Sequence, residues 1–103
     1  MVAVGGTFEH STETIANKLG AKTGPDLVIA AAAHLHFAKD KTKFTRPELL
    51  EQMQTATGHY KRSFHNNMSS NLNGLTKSDR LRSFGGGTYS LSKNEAEKIE
   101  GAC

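Results

Sequence analysis

The sequence contains no tryptophan, two prolines and a single cysteine among its 103 residues. Cys103 has no second cysteine with which to form an internal disulfide, and such a chain suits a reducing cytoplasm. The longest strongly apolar run, residues 27–33, is far shorter than the roughly 20 residues that cross a bilayer, so we expect no membrane partner. Residues 1–7 carry neither a basic leader nor an apolar signal stretch, which also favours a cytoplasmic location.

The side-chain groupings that carry catalysis or bind metals are also missing. His34 and His36 point in different directions on a helix, and His59 and His65 have no cysteine or carboxylate at ligand spacing. No serine–histidine–acid arrangement or carboxylate pair can be assembled. The glycines at 85–87 are not followed by Lys-Ser or Lys-Thr, which favours a hairpin turn over a nucleotide-binding loop. We therefore expect a non-enzymatic protein with no metal and no cofactor.

Positive charge is present and is unevenly distributed. The net charge is +3, but residues 41–92 hold eight Lys or Arg and three acids, a local net of +5, while residues 1–40 and 93–103 each have a net charge of −1. The length and the 36% hydrophobic content suit one small domain. Concentration of positive charge in one part of a domain is typical of polyanion binding.

The first part of the chain predicts one short and one central helix. We expect residues 1–10 to be flexible and residues 11–24 to form a short helix and turn, which Ser11 caps and Gly20 ends. A second helix is predicted from Pro25 to about Lys39, with apolar residues around most of its circumference. Its alanines at 30–33 allow another helix to approach closely, either inside the domain or across a homodimer interface.

Two further helices are predicted between residues 45 and 76. Thr45-Arg46-Pro47-Glu48 forms a capping box that begins one of them, and Thr57-Gly58 ends it in a tight turn. The next helix is predicted to begin at His59 and to end at Leu72 or at Thr76. Its core face would hold Tyr60, Phe64, Met68 and Leu72, and its opposite face carries no acid.

The last predicted elements are a β-hairpin and a trailing helix. Residues 80–84 and 88–91 alternate in strand fashion around the three glycines. Leu81, Tyr89 and Leu91 would point inward, and Arg80 and Arg82 outward. A second capping box at residues 92–95 opens a helix to residue 99, and residues 100–103 form a tail.

From residue 25 to residue 99 this order of elements resembles a winged helix-turn-helix domain, a mainly α fold with a small β-hairpin (α+β). The resemblance is carried by Thr45-x-x-Glu48-Leu49-Leu50, the turn at Thr57-Gly58, the leucines of the third helix and residues 87–92. That last segment is similar to the strand that leaves the wing in many bacterial regulators and in linker-histone globular domains. Winged helices bind DNA but also serve as protein-interaction modules, so both functions remain open.

We predict that the third helix enters the major groove of double-stranded DNA, with Asn66 on adenine and Arg62 on guanine. Thr57, His59 and Ser63 lie near the start of that helix, where phosphate contacts are favoured. The other predicted contacts are Arg46, Lys61, Ser70, Lys77, Arg80 and Arg82. This interpretation describes a transcriptional regulator or a nucleoid-type factor, and the alternatives are a protein-docking module and a merely solvated polar face.

Overall fold

A computed structural model describes residues 12–39 and 41–102, so the predicted flexible segment 1–10 lies outside the described residues. The helices are α1 (Thr12–Leu19), α2 (Gly24–Ala33), α3 (Arg46–Thr55), α4 (Arg62–Asn66), α5 (Met68–Lys77) and α6 (Lys93–Ala102). The strands are β1 (Phe44–Thr45), β2 (Leu81–Gly85) and β3 (Thr88–Leu91), which form an antiparallel sheet in the order β1-β3-β2. The predicted fold class, mainly α with a small β-sheet (α+β), is confirmed.

Helix α2 forms the centre of the core. It packs against α1, α3 and α5, and Ala30 to Ala33 are completely buried. The small side chains therefore serve close packing within one chain. The predicted homodimer through this helix has no exposed alanine to use, because the chain's own helices already cover all four. The helix continues as a π-helical segment, His34–Ala38, so its predicted extent is right but its final turn is wider than expected.

Helix α1 contributes to the same core. Ile15 and Ala16 are fully buried, and α1 packs against α2 and α3. Its carboxyl end turns through Gly20, which has a φ of 66°, a left-handed conformation that glycine adopts without a Cβ penalty. The predicted short helix and its glycine stop are confirmed, and the predicted Ser11 cap lies outside the described residues.

The capping box at the start of α3 is confirmed. The Glu48 N–H donates to the Thr45 hydroxyl at 3.4 Å, and the Thr45 N–H donates to the Glu48 carboxylate at 2.8 Å. Lys41 also forms an ion pair with Glu48. The Lys41 ammonium, followed by the Thr45 N–H, holds the pKa of Glu48 below its usual value of 4.5. Local hydrogen bonds therefore fix the point where α3 begins.

We expect Glu48→Gln to remove part of the acid sensitivity of folding. A carboxyl whose folded pKa is lowered contributes stability that is fully present above pH ~4.5 and is lost as pH falls through the lower folded value. The free energy of unfolding of the wild type should therefore fall more steeply than that of the variant below pH ~4.5. Glu51→Gln, which changes an exposed carboxylate on the same helix, is the control. Parallel pH curves for the wild type and Glu48→Gln would contradict the assignment.

The predicted third helix is wrong as one continuous element, because the chain forms α4 and α5 with a break at Asn67. His59 and Tyr60 lie before α4 rather than within it. Residues spaced four apart drift about 40° per step around a helix of 3.6 residues per turn, so Tyr60 and Leu72 would lie about 120° apart, at the two edges of one apolar face. In the structure Met68, Leu72 and Leu75 are buried, whereas Tyr60 and Phe64 are only partly buried.

The predicted hairpin is confirmed. Leu81 pairs with Leu91 and both are buried, while Arg82 pairs with Ser90, one residue along. The glycines at 85–87 all have positive φ, which explains why this turn uses them. Helix α6 runs to Ala102, beyond the predicted end at residue 99. Only half of its predicted capping box forms: the Glu95 N–H donates to the Ser92 hydroxyl, but the Glu95 carboxylate contacts Arg80 instead.

Candidate nucleic-acid interface

The exposed side of α5 is the longest polar surface on the two helices that replace the predicted third helix. Met68, Leu72 and Leu75 face the core. The side chains that remain exposed on the other side of α5 include Ser69, Ser70, Asn73 and Lys77. This exposed side has hydroxyl and amide groups, which can form hydrogen bonds with base edges, and an ammonium group, which can donate to phosphates.

Arg46, at the start of α3, joins this surface. Its guanidinium donates to the Ser69 hydroxyl at 2.7 Å, so the amino end of α3 lies directly beside α5. We call the surface formed by Arg46, Ser69, Ser70, Asn73 and Lys77 the α5 face. The sequence has no aspartate or glutamate from Gln52 to Ser78, so α5 contributes no negative charge to it. An anion that approaches the α5 face meets hydrogen-bond donors and positive charge.

Helix α4 exposes Arg62, Ser63 and Asn66, as the sequence predicts. Arg62 and Asn66 lie about one turn apart on α4, but the break at Asn67 separates them from the exposed side chains of α5. Asn71 is half-buried, and its side-chain nitrogen lies 2.5 Å from the position that a Cβ on Gly24 would occupy. Gly24 therefore permits close contact between α2 and α5, and Asn71 belongs to the packed side of α5.

The loop before α4 is tied to α1. The Gly58 N–H donates to Glu13 at 3.1 Å, and His59 Nε2 lies 2.7 Å from the side-chain oxygen of Asn17. His59 is therefore held by the Asn17 side chain of α1, whereas Thr57 is exposed. Lys61 is exposed at the amino end of α4 and lines a shallow groove with Lys22 from the turn between α1 and α2.

Arg80 is engaged by two acids of the same chain. Its guanidinium donates to the Glu95 carboxylate at 3.1 and 3.0 Å and lies 3.8 Å from Asp26. Glu95 is buried, and the Arg80 side chain is one-third exposed. These contacts join the start of β2 to α6 and α2. A phosphate would have to displace a carboxylate to reach this arginine, so the predicted phosphate contact of Arg80 is replaced by an ion pair within the chain.

We expect Glu95→Gln to destabilise the fold by about 1 kcal/mol, because it removes the closer of the two carboxylates that engage Arg80 and leaves only Asp26 at a partly exposed site. Glu97→Gln, two residues along the same helix and exposed, should change the free energy of unfolding by less than about 0.5 kcal/mol. Urea unfolding of both variants tests this assignment. Equal effects would mean that the Arg80–Glu95 pair contributes nothing specific to stability.

Arg82 lies on a different surface from α5. It projects from β2 on the side opposite Leu81, which is buried against the core. Beside it, the Lys43 ammonium lies 4.7 Å from the centroid of the Phe84 ring, and Phe84 is half exposed. The predicted DNA contacts therefore divide among the α5 face with α4, the loop before α4, the Arg80 ion pair and this side of the sheet.

Ser69 and Asn73 were not among the predicted contacts, although the helical spacing from Met68 and Leu72 places both on the side opposite the core. Lys43 and Phe84 were not predicted either, and the strand alternation of Arg82 and Phe84 was the available signal for Phe84. No described helix is long and apolar enough to cross a membrane. Comparison of the chain with protein-family models, with curated proteins and with solved structures finds no match.

Proposed function

We propose that this chain is a winged helix-turn-helix domain that binds double-stranded DNA through the α5 face. The order of elements from α2 to β3 supports the fold. The central helix α2 is followed by the short strand β1, by α3, by the pair α4 and α5, and by the β2–β3 hairpin, and β1 joins this hairpin as the third strand of the sheet. In this arrangement α5 is the recognition helix, and the β2–β3 hairpin is the wing.

The acid-free α5 face is the observation that carries the proposal. A helix with its side chains is about 10–12 Å across, which matches a major groove about 12 Å wide. Ser70 and Asn73 then lie toward the base edges, and Arg46 and Lys77 lie at opposite ends of the face. The hydrogen bond between Arg46 and Ser69 supports a surface in which α3 and α5 contact the same duplex.

Phosphate contacts supply most of the affinity in this proposal. Arg46, Lys77, Arg62 and Lys61 are all exposed and extend from the α5 face along α4, where they can neutralise backbone charge on both sides of the groove. Such a protein acts without catalysis or a cofactor. Its simplest role is that of a cytoplasmic transcriptional regulator or nucleoid-type factor.

Titration of a fluorescent random-sequence duplex at two salt concentrations tests this function. With about four phosphate contacts, the affinity should fall roughly 100-fold between about 50 and 200 mM salt. Saturable binding with this salt dependence is the expected result. Absence of saturable binding at the lower salt concentration would contradict the proposal and favour a domain that docks another protein.

A further inference from the structure

The side of the sheet that faces away from α5 forms a concave groove of about 450 Å³. Arg82 and Phe84 line it from β2, and Leu91 lines it from β3. Lys43 approaches from the loop before β1, and Lys93 and Ala96 approach from α6. We call this surface the outer groove. Its lining residues come from both edges of the sheet, near β1 and on β2, and no residue of the α5 face lines it.

The outer groove is positively charged. Lys43, Arg82 and Lys93 are all exposed, and none of the described residues that line the groove is acidic. Within residues 12–39 and 41–102, none of these three cations forms an ion pair. Arg80, in contrast, is neutralised by Glu95 and Asp26. Three uncompensated cations around one concavity favour an anionic occupant.

The outer groove also has an apolar component. Phe84 is 50% exposed, and it is the one large hydrophobic side chain exposed among the described residues. Ala96, which is partly exposed, adds a methyl group beside it. An exposed aromatic ring between cations matches a ligand that carries apolar and anionic groups at short spacing.

We propose that the outer groove binds an acidic peptide segment of a partner protein. Its carboxylates would contact Lys43, Arg82 and Lys93, and one of its apolar side chains would pack on Phe84. An extended peptide can present both kinds of side chain, and arginine binds a carboxylate through two parallel hydrogen bonds. The volume accommodates a few side chains but not a rigid duplex. A duplex on the α5 face would lie on the other side of the sheet, so this proposal is independent of DNA binding.

The test uses the full chain and a short fluorescein-labelled peptide of alternating glutamate and leucine. Saturable binding is expected by fluorescence anisotropy. The double variant Lys43→Ala/Lys93→Ala should weaken it at least about tenfold, and Phe84→Ala should weaken it about fivefold. The matched control is Lys18→Ala/Lys98→Ala, which removes the same charge from exposed positions elsewhere. This control should bind the peptide within about twofold of the wild type.

The proposal would be overturned by no saturable binding, by equal losses in the two double variants, or by equal binding of a peptide with lysine in place of glutamate. Tighter binding of single-stranded oligothymidylate, displaced by the peptide and lost in Lys43→Ala/Lys93→Ala, would overturn it in favour of a nucleic-acid site. Duplex titrations separate this question from DNA binding by the α5 face, because the two double variants should bind duplex DNA equally.

Discussion

Leu49→Ala is expected to lower the free energy of unfolding by about 2 to 5 kcal/mol, the range for a fully buried leucine. Leu49 lies on the core-facing side of α3 and is 0% exposed, so its truncation leaves a cavity that the surrounding helices can fill only in part. Leu50 is only partly buried, so Leu50→Ala should cost no more than about 1.5 kcal/mol. Urea unfolding with fluorescence or circular dichroism detection measures both changes.

Leu50→Ala is a sharp control, because the two variants delete the same atoms from adjacent positions of one helix. The larger loss reports which of the two leucines points into the core. If Leu50→Ala cost more than Leu49→Ala, the rotation of α3 about its own axis would be wrong. The exposure of Arg46 beside Ser69 would then need revision as well.

Elements fixed by local chemistry could be predicted from the sequence. The start of α3 depends on hydrogen bonds between Thr45 and Glu48, three residues apart, and the hairpin depends on glycines that adopt positive φ. Both can be recognised in a short window of sequence, because the groups that form them are neighbours in the chain. The alanine run of α2 likewise predicted a central helix.

Features that depend on distant partners could not be predicted in the same way. The Glu95 carboxylate had a local partner in its own capping box, but the fold brings Arg80 within hydrogen-bond distance and the carboxylate contacts that arginine. The break at Asn67 was likewise not predicted: α5 packs against α2 with Met68 and Leu75 buried, whereas Phe64 on α4 is only partly buried. Strand alternation predicted that Arg82 points outward, but which elements lie on that side of the sheet depends on the fold.

The second large effect concerns DNA binding. Asn73→Asp on α5 and Asn66→Asp on α4 each put a negative charge on an exposed side chain without changing its shape. A new carboxylate near a phosphate costs on the order of 1 to 2 kcal/mol, so each variant should weaken duplex binding about tenfold. The double variant should lose about 100-fold if the two sites act independently.

Duplex affinity of Asn73→Asp, measured beside Asn94→Asp at the same salt concentration, tests the central claim most directly. Both variants replace an asparagine by an aspartate, so they change the net charge equally. Asn94 on α6 is exposed, as Asn73 is, so neither variant should alter stability by more than about 0.5 kcal/mol. We predict a loss of about tenfold for Asn73→Asp and less than about twofold for Asn94→Asp. Equal affinities for the two variants would contradict the claim that DNA lies on the α5 face.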